Sequence, residues 1–91
     1  MENPSLDLSQ HAVERADARS IPRAAIAAVI GHGRRYRSHG AWAYRLDRRS
    51  LAAAGIRGRE LSAFEGVHVI VSDEGTVITV YRNRRGRRVR R

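Results

Sequence analysis

The sequence predicts an α+β fold in which two N-terminal helices precede a four-stranded antiparallel sheet, with a short helix between its two hairpins. Three observations predict it. Apolar residues recur at helical spacing as far as Ile30, the period falls to two from Arg34 onward, and two β-branched runs near the end of the chain flank a short turn. The 91 residues suffice for one small domain and not for two. The expected division is a single α+β domain over 1–82 followed by a disordered Arg-rich tail over 83–91.

The first helix begins near Gln10. Ser9 precedes it as a residue whose hydroxyl caps free amides of the first turn, and Leu8 is placed to pack on Val13 as a staple. Leu8, Ala12, Val13 and Ala16 form its apolar side, while His11, Arg15 and Arg19, four residues apart, line a separate stripe. It ends near Arg19 or Ser20. Pro22 sets a second start, because a missing amide hydrogen costs nothing in a first turn, and Ile26, Val29 and Ile30 follow at helical spacing until Gly31 stops the helix.

Beyond Arg34, Tyr36 and then Trp42, Tyr44 and Leu46 alternate with Arg, Ser and Ala on either side of a His39-Gly40 break, which reads as a hairpin. Asp47 to Gly55 reads as a short helix with Asp47 as its cap, Leu51 and Ala54 as its contacts and Gly55 as its end. Ile56 to Gly66 carries a weaker pattern in which Leu61 and Phe64 allow one further turn.

The strongest strand signal comes last. Val67 to Val71 and Thr76 to Tyr81 are joined by Ser72 to Gly75, with glycine supplying a positive φ. Two registers are open. A two-residue loop places His68, Ile70, Thr79 and Tyr81 on one face, whereas a three-residue loop with a bulge sets Val67 and Val69 beside Tyr81 and Thr79. In both, Thr79 and Tyr81 share a face and Val80 lies opposite.

Charge narrows the function classes. All 18 basic residues are Arg, against 9 acids, for a net charge of +9. The excess is uneven: residues 1–33 hold 3 Arg against 4 acids, and residues 34–91 hold 15 Arg against 5. Polyanions are the expected partners, RNA or the ribosome above all. The absence of Cys excludes a disulfide framework, a thiolate metal site and a cysteine nucleophile, and suits a cytoplasmic address. The longest apolar run, Ala24 to Ile30, is far below the roughly 20 residues that span a bilayer, and the polar start reads as no signal peptide. No membrane association is expected.

Several residues carry candidate chemistry. His11 and Arg15 on one helical face join an imidazole that exchanges protons near neutrality to a guanidinium that binds phosphate, although the same pair also solvates a helix. Thr79, Tyr81 and Arg82 at the end of the last strand bring two hydroxyls and a cation suited to a phosphorane, while Thr and Tyr are also plain strand formers. Trp42, Tyr36 and Tyr44, interleaved with Arg35, Arg37 and Arg45, suit base stacking on a sheet, or equally a core. His68 is a second candidate base on the open face, or a polar residue facing water. Arg19 extends the helix stripe, and Arg84, Arg85, Arg87 and Arg88 supply salt-dependent phosphate contacts. His32 and His39, seven apart with no carboxylate at ligand spacing, make no metal site, and no cofactor is expected.

Read together, the two ends of the chain carry a resemblance. His-Ala-Val-Glu-Arg-Ala-Asp-Ala-Arg-Ser-Ile from His11 to Ile21, and Gly-Thr-Val-Ile-Thr-Val-Tyr-Arg from Gly75 to Arg82, resemble a family of small bacterial domains of unknown function with an H-x-x-x-R-x-x-x-R-x-I start and a V-I-T-V-Y-R end. The resemblance spans about residues 9–82, with the middle alike only in outline. It implies a fold similar to the barnase, EndoU, colicin and RelE type of ribonuclease toxin, with His11, Arg15, Thr79, Tyr81 and Arg82 at the motif positions. It also implies a small neutralising partner, an acidic antitoxin or immunity protein. The lack of Lys and the Arg-rich extension depart from that pattern. The resulting expectation is a metal-independent endoribonuclease acting through the 2′-hydroxyl, against the alternative of a non-catalytic RNA- or ribosome-binding module.

Overall fold

A computed structural model describes residues 6–83. The elements in order are β1 (Asp7–Leu8), α1 (Gln10–Ala18), α2 (Arg23–His32), β2 (Arg34–Ser38), β3 (Ala41–Arg45), α3 (Arg48–Ala53), α4 (Ile56–Leu61), a 3-10 turn (Ser62–Phe64), β4 (Val67–Val71) and β5 (Thr76–Arg82). They form one five-stranded sheet in the order β1-β5-β4-β3-β2. The α+β class stands, but the sheet is mixed rather than wholly antiparallel, because β1 runs parallel to β5. Two residues are too few to show a strand period, so this strand leaves no trace in the hydropathy pattern.

Ser9 ties β1, α1 and β5 together. Its hydroxyl accepts a bond from the Ala12 amide (3.0 Å) and donates to the Ile78 carbonyl (3.0 Å), while its own amide donates to the Val77 carbonyl (2.9 Å). The expected cap is present and does more than cap. Val13, expected to staple the helix start, is instead 39% exposed, and Leu8 packs against the core. The helix closes as a Schellman motif, with Ile21 N donating to Ala16 O (2.8 Å) and Ser20 N to Asp17 O (3.2 Å) across Ser20 at φ 55°.

The second helix outlasts its expected end. Gly31 lies within it, and the chain leaves at Gly33. Gly33 is required by packing rather than by its φ of −79°. A Cβ there would stand 2.5 Å from the Val29 carbonyl oxygen and 2.6 Å from that of Arg45, so only glycine lets α2 approach β3 this closely. The β2–β3 hairpin turns at His39 (φ 53°) and Gly40 (φ 80°), a two-residue loop with positive φ at both centres that matches strand twist.

Between the hairpins lie two helices and a 3-10 turn, not one helix. Asp47 starts α3 through a capping box: its carboxylate accepts from Ser50 N (2.8 Å) and its amide donates to Ser50 Oγ (2.8 Å). Gly55, at φ 63°, then redirects the chain into α4. That helix has only Ile56 and Leu61 as large apolar residues, which is why its pattern is weak in sequence.

The β4–β5 hairpin takes neither simple register. Near the turn it is of the three-residue kind: Ser72 N donates to Thr76 O (2.9 Å), Gly75 has φ 96°, and Val71 faces Val77. Ile78 then bulges out, so that Ile70 pairs with Thr79 and His68 with Tyr81. The bulge restores the face expected from a two-residue loop. It also turns Val77 and Val80 to the same side, where both are buried with Val67, Val69 and Val71 beneath α1 and α2. Small residues at the helix contacts, Ala12, Ala16 and Ala25, allow close approach, and Ile26 is the largest fully buried side chain. Burying an aliphatic side chain of that size contributes about 1.5–3 kcal/mol. Residues 84–91, which include most of the expected Arg-rich tail, lie outside the described residues.

Two glycines of one helix end should respond oppositely to the same change. Gly33→Ala should lower stability by about 1–3 kcal/mol through overpacking, whereas Gly31→Ala, with open space at its Cβ position, should raise it by about 0.5–1 kcal/mol through helix propensity; urea denaturation of the two variants checks both. Ser9→Ala, which removes the cap and the bond to Ile78, should cost about 1–2 kcal/mol in the same assay.

Candidate functional site

The outer edge of β5 is only partly paired. β1 faces Thr76 and Val77 and then gives way to α1, which lies along the rest of the strand. With Ala12 and Ala16 turned into the core, the next row of α1, His11, Arg15 and Arg19, runs exposed beside that edge. These three and Thr79, Tyr81 and Arg82 line one open cleft of about 440 Å³. The residues quoted from the two ends of the sequence thus meet in space. Among the described residues no Asp or Glu lines the cleft.

Within it, the Arg15 Nε–H donates to His11 Nε2 at 3.4 Å. The bond is long, and in it Nε2 is the acceptor. Arg82 is steadied by a 3.3 Å bond from Nη1 to the Ala63 carbonyl of the 3-10 turn. It projects to the helix side of the sheet, opposite Val67, whereas Tyr81 projects to the other side, opposite His68.

Tyr81 and His68 are stacked, their rings 4.7 Å apart and within 3° of parallel. His68 is only 5% exposed, and its Nδ1 has no hydrogen-bond partner among the described residues. Burial, reinforced by the nearby Arg45 charge, holds its pKa below that of a free imidazole, so the ring is neutral. An accessible base on an open face, the sequence expectation, does not describe it: the ring supports Tyr81. Burial also pushes the Tyr81 hydroxyl up from its usual value, with Tyr36 adding to the effect and Arg45 opposing it. Tyr81 is therefore a phenol at neutral pH, able to donate a proton or a hydrogen bond.

The expected aromatic platform does not join this cleft. Trp42 lies on the helix side near the far edge of the sheet, beneath two guanidiniums, with Arg35 Cζ 4.1 Å and Arg37 Cζ 4.6 Å from its ring centre. Arg37 is in turn paired with Asp73 at 2.8 Å, and Tyr44 packs against the core beside Arg35. The Trp42 ring is thus already engaged by two of this chain's own cations. The expected sites at Arg84, Arg85, Arg87 and Arg88 fall outside the described residues.

A second cleft, of about 420 Å³, opens where β3 passes into α3. Arg34, Arg45, Arg48, Arg49, Asp47 and His68 are among its lining, and of these only Arg45 and His68 stood out in sequence as candidate site residues. The others escaped notice because their grouping depends on register. Tyr81, His68, Arg45 and Arg34 are directly opposed on successive strands and make one row across the sheet, on the face away from α1 and α2. Asp47 binds Arg34 at 2.9 Å and approaches Arg45 at 3.9 Å. Desolvation pushes its carboxyl up, but the bonds from Ser50 and Arg34 outweigh that and hold it below the usual carboxylate range. Asn83 borders both clefts.

Among the described residues no three His, Asp or Glu side chains gather as a metal-ligand group, and no helix is long and apolar enough to cross a membrane. The chain matches the family described as a domain of unknown function (DUF4258) over residues 8–82, which includes both end motifs. No curated protein and no solved structure matches it.

The burial of His68 has a pH signature. Its folded pKa is depressed, so the unfolded chain binds the extra proton first and stability should fall as pH drops below about 6.5, the unfolded imidazole value. Asp47 acts in a different window: its depressed pKa supplies stability lost only as pH falls below its unfolded value of 3.8. Urea midpoints at pH 7.5 and 5.0 should therefore differ in the native chain, and His68→Phe should reduce the difference.

Proposed function

The chain belongs to the DUF4258 family, and from the side chains gathered at its β5 edge we propose that it is a metal-independent endoribonuclease, cutting RNA by attack of the 2′-hydroxyl on the adjacent phosphate. The observation that carries this reading is the meeting of His11, three Arg, Tyr81 and Thr79 in one cleft that no carboxylate lines among the described residues. That set provides a base, a proton donor and fixed positive charge, the needs of phosphodiester transesterification. A neutral His11 Nε2 takes the 2′-hydroxyl proton, and the 2′-oxygen forms a bond to phosphorus. Arg15 and Arg82 balance the charge that builds on the pentacovalent phosphate, and Thr79 donates to a non-bridging oxygen. As the bond from phosphorus to the 5′-oxygen breaks, the Tyr81 hydroxyl protonates the leaving oxygen. The products are a 2′,3′-cyclic phosphate and a 5′-hydroxyl.

Arg15 has two tasks in this scheme. In the free protein it orients His11; with phosphate present, a charge-assisted bond to the anion is the stronger choice and frees Nε2 for the substrate. The ribonuclease-toxin fold that the family resemblance implies supports the same reading, as does a sheet backed by helices with the candidate residues at its edge. RNA, free or on the ribosome, is the substrate class, which implies a cytoplasmic site of action. A neutralising partner for so basic a surface would be acidic.

Incubating total RNA with the full chain in excess EDTA should yield fragments ending in 2′,3′-cyclic phosphate. His11→Ala should slow cleavage by about 10²–10⁴-fold, the usual contribution of a general base. RNA that stays intact while binding the native chain would sink the catalytic reading and leave a binding module.

A further inference from the structure

The second cleft lies beside the first and has no part in the chemistry above. Its wall is shared: Tyr81 lines the first cleft, His68 lines the second, and the two rings stack face to face at 4.7 Å. At the β5 end the clefts meet at Asn83. Volumes of about 420 and 440 Å³ place each within the range of about 300–1,000 Å³ of small-ligand sites. Each is room for about one nucleotide.

Charge identifies what the second cleft takes. Four Arg line it against Asp47 and Glu65. Asp47 already grips Arg34 through one guanidinium nitrogen at 2.9 Å, which holds the head group in place, and the other donors of that fork have no hydrogen-bond partner among the described residues. Arg48 and Arg49, next in the chain after Asp47, are exposed. His68 adds a ring nitrogen without a hydrogen-bond partner among the described residues, an unmet polar atom in a residue that is almost wholly buried.

We infer that the cleft lined by Arg34, Arg45, Arg48 and Arg49 is a second phosphate subsite, which holds the RNA backbone beyond the cut and makes a single strand of several nucleotides the preferred substrate over a dinucleotide. This rests on the RNA-cleaving reading. The strand passes from the α1 cleft around the end of β5 at Asn83 and onto the open face of the sheet. The row of Tyr81, His68, Arg45 and Arg34 across four strands runs along the same direction. The contacts are to phosphate and carry no base preference of their own.

The test uses 2′-O-methyl oligonucleotides of two and eight residues, which lack the attacking hydroxyl and report binding alone, measured by fluorescence anisotropy on the full chain. The native protein should bind the eight-mer at least tenfold more tightly than the dimer. In the Arg48→Ala/Arg49→Ala double variant that advantage should shrink about tenfold. The slope of log Kd against log salt for the eight-mer should also become shallower by about 1.4, the value for two lost contacts on a single strand. An eight-mer advantage and salt slope unchanged by the double variant, in a protein that still cleaves RNA, would overturn the second subsite alone. A native chain that neither binds the eight-mer nor cuts RNA would overturn the RNA reading and this subsite with it.

Discussion

The bond from the Ser9 hydroxyl to the Ile78 carbonyl joins the two ends of the fold, and the arrangement of helix and sheet around β5 depends on it. Ile78 is the bulged residue of β5, and the bulge makes Val77 and Val80 core residues together while Thr79 and Tyr81 turn to the other face. A bulge left to itself exposes a carbonyl with no ladder partner. Here Ser9 supplies that partner, and the same hydroxyl accepts the first free amide of α1. One side chain thereby sets where the helix starts, how it lies along β5 and which face of the strand meets it. The cleft is a consequence, since the stripe carrying His11, Arg15 and Arg19 comes to the strand edge only if α1 is held at that angle.

Arginine occurs in this molecule in two conditions. Some guanidiniums are engaged by the chain itself: Arg34 with Asp47, Arg37 with Asp73, and Arg35 and Arg37 over Trp42. Exposed ion pairs of this kind contribute little to stability, typically about 0–1 kcal/mol, so their effect is chiefly to aim side chains and cover a ring. Others border the clefts without a carboxylate close by, Arg15, Arg19 and Arg82 among them. A net charge of +9 on so small a chain opposes compaction, and the placement of the acids softens this away from the clefts more than within the first of them.

Tyr81 owes its position to a neighbouring ring on the same face of the sheet. The buried His68 ring lies flat against it, and a neutral imidazole is the only state that burial and the neighbouring Arg45 favour. A charged ring in that place would carry an uncompensated desolvation cost. The aromatic pair therefore joins the chemistry proposed at the β5 edge to the arginine row on the same face of the sheet, through direct stacking rather than through motion of the sheet.

Much of this protein was legible in its sequence. Ser9 and Asp47 as caps, the extent of α1, both hairpins and the positive φ of Gly75 come from local chemistry: side chains that bond their own backbone and spacing along a helix. The grouping of His11 and Arg15 with Thr79, Tyr81 and Arg82 came instead from the family resemblance of the two end motifs. Other features were decided only by the tertiary structure. β1 is a strand because β5 offers it an edge, not because Asp7 and Leu8 prefer extended backbone. Gly33 is needed because β3 passes within contact of α2. The face that His68 occupies was open between two registers, and the bulge at Ile78, whose carbonyl is bonded by Ser9 69 residues away, settled it. The second cleft was invisible for the same reason. Arg34, Arg45 and His68 are far apart in the chain and become neighbours only through strand pairing, and pairing is a long-range choice made by burying valines on one face, which local preference does not determine.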